Sequence, residues 1–140
     1  MKDFESQIKR DLSHIACSDF KSEMSIDDIM SIWHTPKGVE LCRNAKYPSP
    51  EVFRSFSDTF ASYGVFVDSL DKSITNKDCV LYNSISTLSY KYPSKIYDVI
   101  LYDDNVVTIK ASDYAVVNVH NLGNSVIIIE KDENSIVNVD

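Results

Sequence analysis

Residues 104–140 read as four blocks that align without gaps at a shift of ten: DNVVTIKASD from Asp104, YAVVNVHNLG from Tyr114, NSVIIIEKDE from Asn124 and NSIVNVD from Asn134. A fainter copy, SKIYDVILYD, begins at Ser94. One column holds Val106, Val116, Val126 and Ile136, the next Val107, Val117, Ile127 and Val137, and the column two further on Ile109, Val119, Ile129 and Val139. Between the last two stand Thr108, Asn118, Ile128 and Asn138, which are mostly polar. Small or turn-forming residues (Asn105, Ala115, Ser125, Ser135) precede each apolar run, and Asp, Asn and Gly cluster between runs.

A strand of about five residues and a turn of about five, repeated in register, stack like positions into ladders. Two units would make one coil flattened between two sheets. The expected fold class is therefore α+β, with a C-terminal β-solenoid or β-roll; an antiparallel meander or sandwich is the alternative that also fits this spacing. Identical columns favour the solenoid, because a meander has no reason to keep one column alike in every strand. Alternation turns the 107 and 109 columns inward and the 108 column outward. The 106 column should then face out although it is apolar, a strip that needs cover from the helical half or from another subunit. Val106, Val116, Val126 and Ile136, with Val137 and Val139 of the last strand, form the expected oligomer or docking surface.

Working outward, the composition shifts near residue 70. All six Phe, the single Trp33 and all three Met precede residue 67, whereas Val and Ile number nine in residues 1–70 and nineteen in residues 71–140. The first count suits helices and the second strands. Residues 1–70 read as a helical cap of about four helices, and residues 71–140 as the repetitive β region. Phe4, Ile8, Leu12 and Ile15 share one helical stripe. Ser25 caps a second helix carrying Ile26, Ile29, Met30 and Trp33, with Asp27 and Asp28 in its first turn. Thr35-Pro36 opens a third through about Lys46, and Ser49-Pro50 a fourth that presents Phe53, Phe56, Phe60 and Tyr63 and stops at Gly64.

Charge and composition narrow the function. Fourteen Lys and Arg against twenty-one Asp and Glu leave a net charge of -7, which disfavours nucleic acid and anionic membrane. Residues 50–63 offer a recognition helix only Arg54 against Glu51 and Asp58. No apolar run reaches the roughly 18 residues of a membrane span, and the first twenty residues lack a signal-peptide core. The expected setting is cytoplasmic, with Cys17, Cys42 and Cys79 reduced.

The chemistry-bearing residues compose no motif. His14, His34 and His120 have neither each other nor cysteines at metal-ligand spacing, save His14 and Cys17 three apart on a helix, which reads more simply as a surface His beside a partly buried Cys. Gly38, Gly64 and Gly123 stand alone, so no phosphate loop can be written, and no nucleophile elbow occurs. Asp27-Asp28 and Asp103-Asp104 fit a helix start and a turn. No catalytic residue, metal or cofactor is expected, and the chain is not read as an enzyme. Six tyrosines crowd residues 82–114. Tyr90, Tyr92, Tyr97, Tyr102 and Tyr114 are the candidate ligand or partner face, against the plainer reading of tyrosine as a half-buried strand residue.

Residues 35–42 (TPKGVELC), Pro48-x-Pro50-Glu51, Gly64-Val65-Phe66-Val67-Asp68 and Ala111-Ser112-Asp113-Tyr114-Ala115-Val116-Val117 resemble a group of short uncharacterised proteins of gut Bacteroidetes genomes and their prophages. The resemblance covers roughly residues 25–140. It implies a phage or mobile-element origin and no activity. The functional expectation is a non-enzymatic structural or interaction protein that pairs with itself as a homodimer or higher closed oligomer, or with another protein. The alternative is a sequestering protein that binds a small ligand or host factor at a subunit or cap/solenoid interface.

Overall fold

A computed structural model describes residues 2–15, 25–33, 40, 43, 44 and 46–140. The chain divides into two compact units, residues 1–63 and 64–140.

The described residues of the first unit form four helices: α1 (Lys2–Ile15), α2 (Ile26–Trp33), α3 (Pro50–Ser55) and α4 (Ser57–Ala61). The apolar stripe of α1 is buried at Phe4, Ile8 and Leu12, and that of α2 at Ile29 and Met30. Ser25 caps α2 by accepting the Asp28 N–H at 3.2 Å, and Ser49 caps α3 by accepting that of Val52 at 3.3 Å. The aromatic helix expected through Tyr63 is broken in two. Phe56 leaves helical geometry at φ -124°, ψ 28°, so α3 ends and α4 begins. The break lets the aromatics converge: Phe4 meets Phe60 edge-on at 5.0 Å and Phe56 at 5.4 Å, and Phe53 lies 5.4 Å from Phe60. Residues 34–39, which include the Thr35-Pro36 start, lie outside the described residues.

Gly64, at φ 77°, turns the chain into the second unit. Its strands are β1 (Val65–Val67), β2 (Lys72–Thr75), β3 (Cys79–Tyr82), β4 (Ile85–Lys91), β5 (Ile96–Tyr102), β6 (Val106–Ser112), β7 (Val116–Asn121), β8 (Val126–Lys131) and β9 (Ile136–Val139). Odd strands make a five-stranded sheet in the order β1-β3-β5-β7-β9, and even strands a four-stranded sheet, β2-β4-β6-β8. Every pairing is parallel. A meander would pair neighbours antiparallel, so this is the β-solenoid, its chain alternating between two sheets.

The registers show what the repeat measures. Val106 pairs with Val126 and Val116 with Ile136, twenty residues apart, so two ten-residue blocks make one coil. The first coil is shorter: Val65 pairs with Val80 and Lys72 with Ser86. Inside, the columns stack as expected. Ile74, Leu88 and Ile109 line one sheet, Cys79, Val99 and Val119 the other, all buried in one core with Leu81, Leu101, Val107 and Val117.

The corners are closed by side chains that serve the neighbouring coil. The Ser69 N–H donates to Ser84 Oγ at 3.1 Å, the Ser84 N–H to Asn105 Oδ1 at 2.8 Å, and the Asn105 N–H to Ser125 Oγ at 3.1 Å. At the opposite corner the Asp98 N–H donates to Asp78 and the Asp113 N–H to Asp132. The turns therefore run on short oxygen-bearing residues because each must accept an N–H that no strand can take. Asp68, Asn83 and Asp103 follow β1, β3 and β5 in the left-handed region, which Asp and Asn tolerate.

Candidate functional site

The outward columns of the solenoid are the surface on which a partner or ligand would meet the chain. The single apolar strip expected from the 106 column becomes two, because alternate blocks belong to alternate sheets. Ile85, Val106 and Val126 are in register on the four-stranded sheet, and Ile96, Val116 and Ile136 on the five-stranded one. Val106, Val126 and Ile136 are exposed and Val116 is half-buried. Both strips occupy strand starts, so a partner meets two short ladders on different sheets.

The last coil departs from the rest. Ile129 continues the column of Ile74, Leu88 and Ile109, and Val139 that of Cys79, Val99 and Val119. Those predecessors are buried, whereas Ile129 is 42% and Val139 46% exposed. Val137, placed on the docking surface from sequence, points inward and packs half-buried against the core. Outward Val126 and Ile128 and inward Ile129 thus expose three aliphatic side chains on one strand, β8.

The tyrosine face is corrected by the structure. Tyr90 and Tyr97 lie inside the solenoid with ring centroids 4.9 Å apart, and Tyr102 is also buried. Their polar tips are used at the corners: Tyr90 Oη donates to the Lys77 carbonyl at 2.8 Å, and the Tyr97 hydroxyl meets Ser94 Oγ at 3.0 Å. A tyrosine serves a thin two-sheet core because its ring fills the interior while its hydroxyl reaches the edge. Only Tyr92 and Tyr114 remain on the surface, 60% and 62% exposed, both at positive φ.

Cys79 lies in the core, 4.0 Å from the Tyr90 hydroxyl, and burial pushes its thiol up to about 12. It is inert at neutral pH. Cys17, Cys42 and His34 lie outside the described residues, as does the His14 side chain. His120 stands on the outer face of the five-stranded sheet. Its Nδ1 is 2.9 Å from Asp140 Oδ2 and its Nε2 3.2 Å from Asp98 Oδ1, so the ring ties β5, β7 and the end of β9 together. Neither nitrogen is left to activate a hydroxyl or thiol. Among the described residues no group of three His, Cys, Asp or Glu is arranged to hold a metal ion, and no helix is long and apolar enough to cross a membrane.

One feature was not legible as a site. At the ends of β4, β6 and β8, Ser89, Lys91, Lys110, Ser112, Glu130, Lys131 and Asp132 line a trough of about 590 Å³. Its residues are 43 positions apart at the extremes and carry no motif, being gathered only by coil stacking. Comparison of the chain with protein-family models, curated proteins and solved structures finds no match in any of the three.

Proposed function

We propose that this chain is a non-enzymatic structural or interaction protein that assembles with further copies of itself through the aliphatic ladders and the uncovered last coil of its solenoid. The observation that carries this reading is the pair Ile129 and Val139, exposed in columns that every earlier coil buries. Covering a fully exposed aliphatic side chain stabilises by roughly 1.5–3 kcal/mol, and these half-exposed ones by a share of that. A parallel strand edge with unpaired N–H and C=O groups invites addition unless something closes it, and a closed homodimer or higher oligomer leaves no edge. A phage or mobile-element origin, which rests on the sequence resemblance, and a cytoplasmic setting, which rests on three widely spaced cysteines that suit a reducing compartment, belong to the same proposal. Another protein in place of a second copy is the variant reading.

Light scattering at micromolar concentration tests it. The expected mass is a multiple of the 15.9 kDa chain, and Val126→Lys with Ile128→Lys should return it to a single chain without loss of β-sheet circular dichroism. A monomeric parent chain overturns the reading.

A further inference from the structure

The two ends of the solenoid are unlike. In the first coil, Lys72 stands in the inward column that Ser86 and Val107 continue, and its ammonium lies over the Phe66 ring, 4.3 Å from the centroid. A further apolar coil stacked on this end would bury that charge, and an inward-pointing charge guards a strand edge against addition. In the last coil the inward positions hold Ile127, Ile129, Val137 and Val139 instead. Ile127 and Val137 are half-buried, and Ile129 and Val139 are 42% and 46% exposed. Lys131 ends the inward column of Tyr90 and Ala111, but at the corner, where its amine donates to the Asp132 carbonyl at 3.3 Å.

This asymmetry selects what can cover the last coil. Stacking of unlike ends would set the aliphatic residues of one copy against Lys72 of the next and would leave an edge open at the end of the row. Stacking of like ends sets them against the same aliphatic residues of a second copy and closes after two chains. A two-fold axis can relate the two ends in two ways. One lays β8 on the other copy's β9 and sets the acidic corner, Asp132 and Glu133, on itself. The other lays β8 on β8 and β9 on β9, and sets that corner on the uncharged one of Leu122, Gly123 and Asn124. Like charges in contact are unfavourable, so the second arrangement is the one that fits.

We propose that two copies join end to end through their last coils, β8 pairing antiparallel with β8 and β9 with β9, as a closed dimer with one two-fold axis. This geometry rests on the self-assembly reading and fixes which surfaces meet. Directly opposite residues of an antiparallel pair share a face. With the axis beside Ile128 and Asn138, which hold the same place in consecutive blocks, Ile127 of one copy meets Ile129 of the other and Val137 meets Val139, so the two cores become continuous. Outside, Ile128 meets Ile128 and Asn138 meets Asn138. Asn138 donates to Asn118 Oδ1 at 3.1 Å, and its own Oδ1 accepts no hydrogen bond among the described residues, so two facing amides can exchange one each.

Cross-linking of the full chain tests the joint. In a chain carrying Cys17→Ser and Cys42→Ser, Ile128→Cys places two thiols directly opposite each other, at the roughly 4.5–5.5 Å between Cα atoms that a disulfide spans. Mild oxidation should give a covalent dimer in high yield, whereas Val106→Cys, on the outer ladder one coil earlier, should give none above background. Light scattering of the parent should read twice the 15.9 kDa chain, with no growth as concentration rises. Ile129→Lys should return a single chain that keeps its β-sheet circular dichroism, and Val106→Lys should stay dimeric. A monomeric parent overturns both this geometry and the self-assembly reading. A mass above two chains, or a dimer that Ile128→Cys fails to link, overturns the end-to-end joint and leaves self-assembly standing.

Discussion

The side-chain carbonyl of Asn105 accepts the backbone N–H of Ser84, one coil earlier, at 2.8 Å, and both residues are buried. The same side chain donates through Nδ2 to the Tyr102 carbonyl at 2.7 Å, to Ser125 Oγ at 3.1 Å and to the Leu81 carbonyl at 3.3 Å. One amide therefore satisfies a corner that strand pairing cannot. Asn105→Ala leaves the Ser84 N–H buried without an acceptor, and should lower stability by roughly 2–4 kcal/mol in urea unfolding. A loss below about 1 kcal/mol would mean that the corner ladder is incidental.

Gly123 is needed for proximity. A Cβ at this position would sit 2.6 Å from the Asp103 nitrogen and 2.7 Å from its carbonyl oxygen, and backbone cannot move aside as a flexible side chain can. Gly123→Ala should cost about 1–3 kcal/mol and lower the melting temperature, the effect of forcing atoms into filled space.

Acid should weaken the opposite corner. Hydrogen bonds from Ser135, and from the backbone N–H groups of Asp113 and Asn134, hold the Asp132 carboxyl below its ordinary 3.8. A depressed folded value means that the unfolded chain takes up the proton first. The contribution is therefore whole above 3.8 and is lost as pH falls through the lower folded value. Asp132→Ala should melt below the parent at neutral pH, and the gap should narrow as pH falls below 3.8. A gap independent of pH would contradict this.

Cys79 offers a kinetic test of the core. With its thiol pushed up to about 12 by burial, modification by a thiol reagent must wait for the solenoid to open. In a chain carrying Cys17→Ser and Cys42→Ser, labelling should follow the population or rate of global unfolding. Fast labelling under native conditions would show the coil to be loose.

Ser86 stands in an inward column between Lys72 of the first coil and the aliphatic Val107 and Ile127 of the later ones. Its hydroxyl is buried and has no hydrogen-bond partner among the described residues. Removing an unsatisfied polar group should help, so Ser86→Ala should raise stability by about 1 kcal/mol. A lower melting temperature would indicate that the hydroxyl is satisfied.

The amphipathic stripes of α1 and α2, the Ser25 cap of α2 and the Ser49 cap of α3, the coil of two blocks and the inward columns were all legible in the sequence. Each follows from spacing along a single segment, and local periodicity is what a chain displays before it folds. Tyr97 belongs with them, since it falls in the 107 column of the fainter copy and pairs with Val117. Tyr90 does not. Ile85 pairs with Val106, twenty-one residues on, so one extra residue aligns Tyr90 with buried Ala111 instead of exposed Lys110. Because side chains alternate, a slip of one position reverses every face.

By itself the sequence determined which residues repeat and which of them turn inward, because burial demands a period that the columns keep. Only the tertiary structure decided between the coil of two blocks and a meander, and with it that the outward column divides into Ile85–Val106–Val126 and Ile96–Val116–Ile136. It alone left Ile129 and Val139 exposed and brought the ends of β4, β6 and β8 together along one trough. The reason is physical: stacking joins residues about twenty positions apart through parallel pairing, and no pattern within one strand records which coil lies beside it.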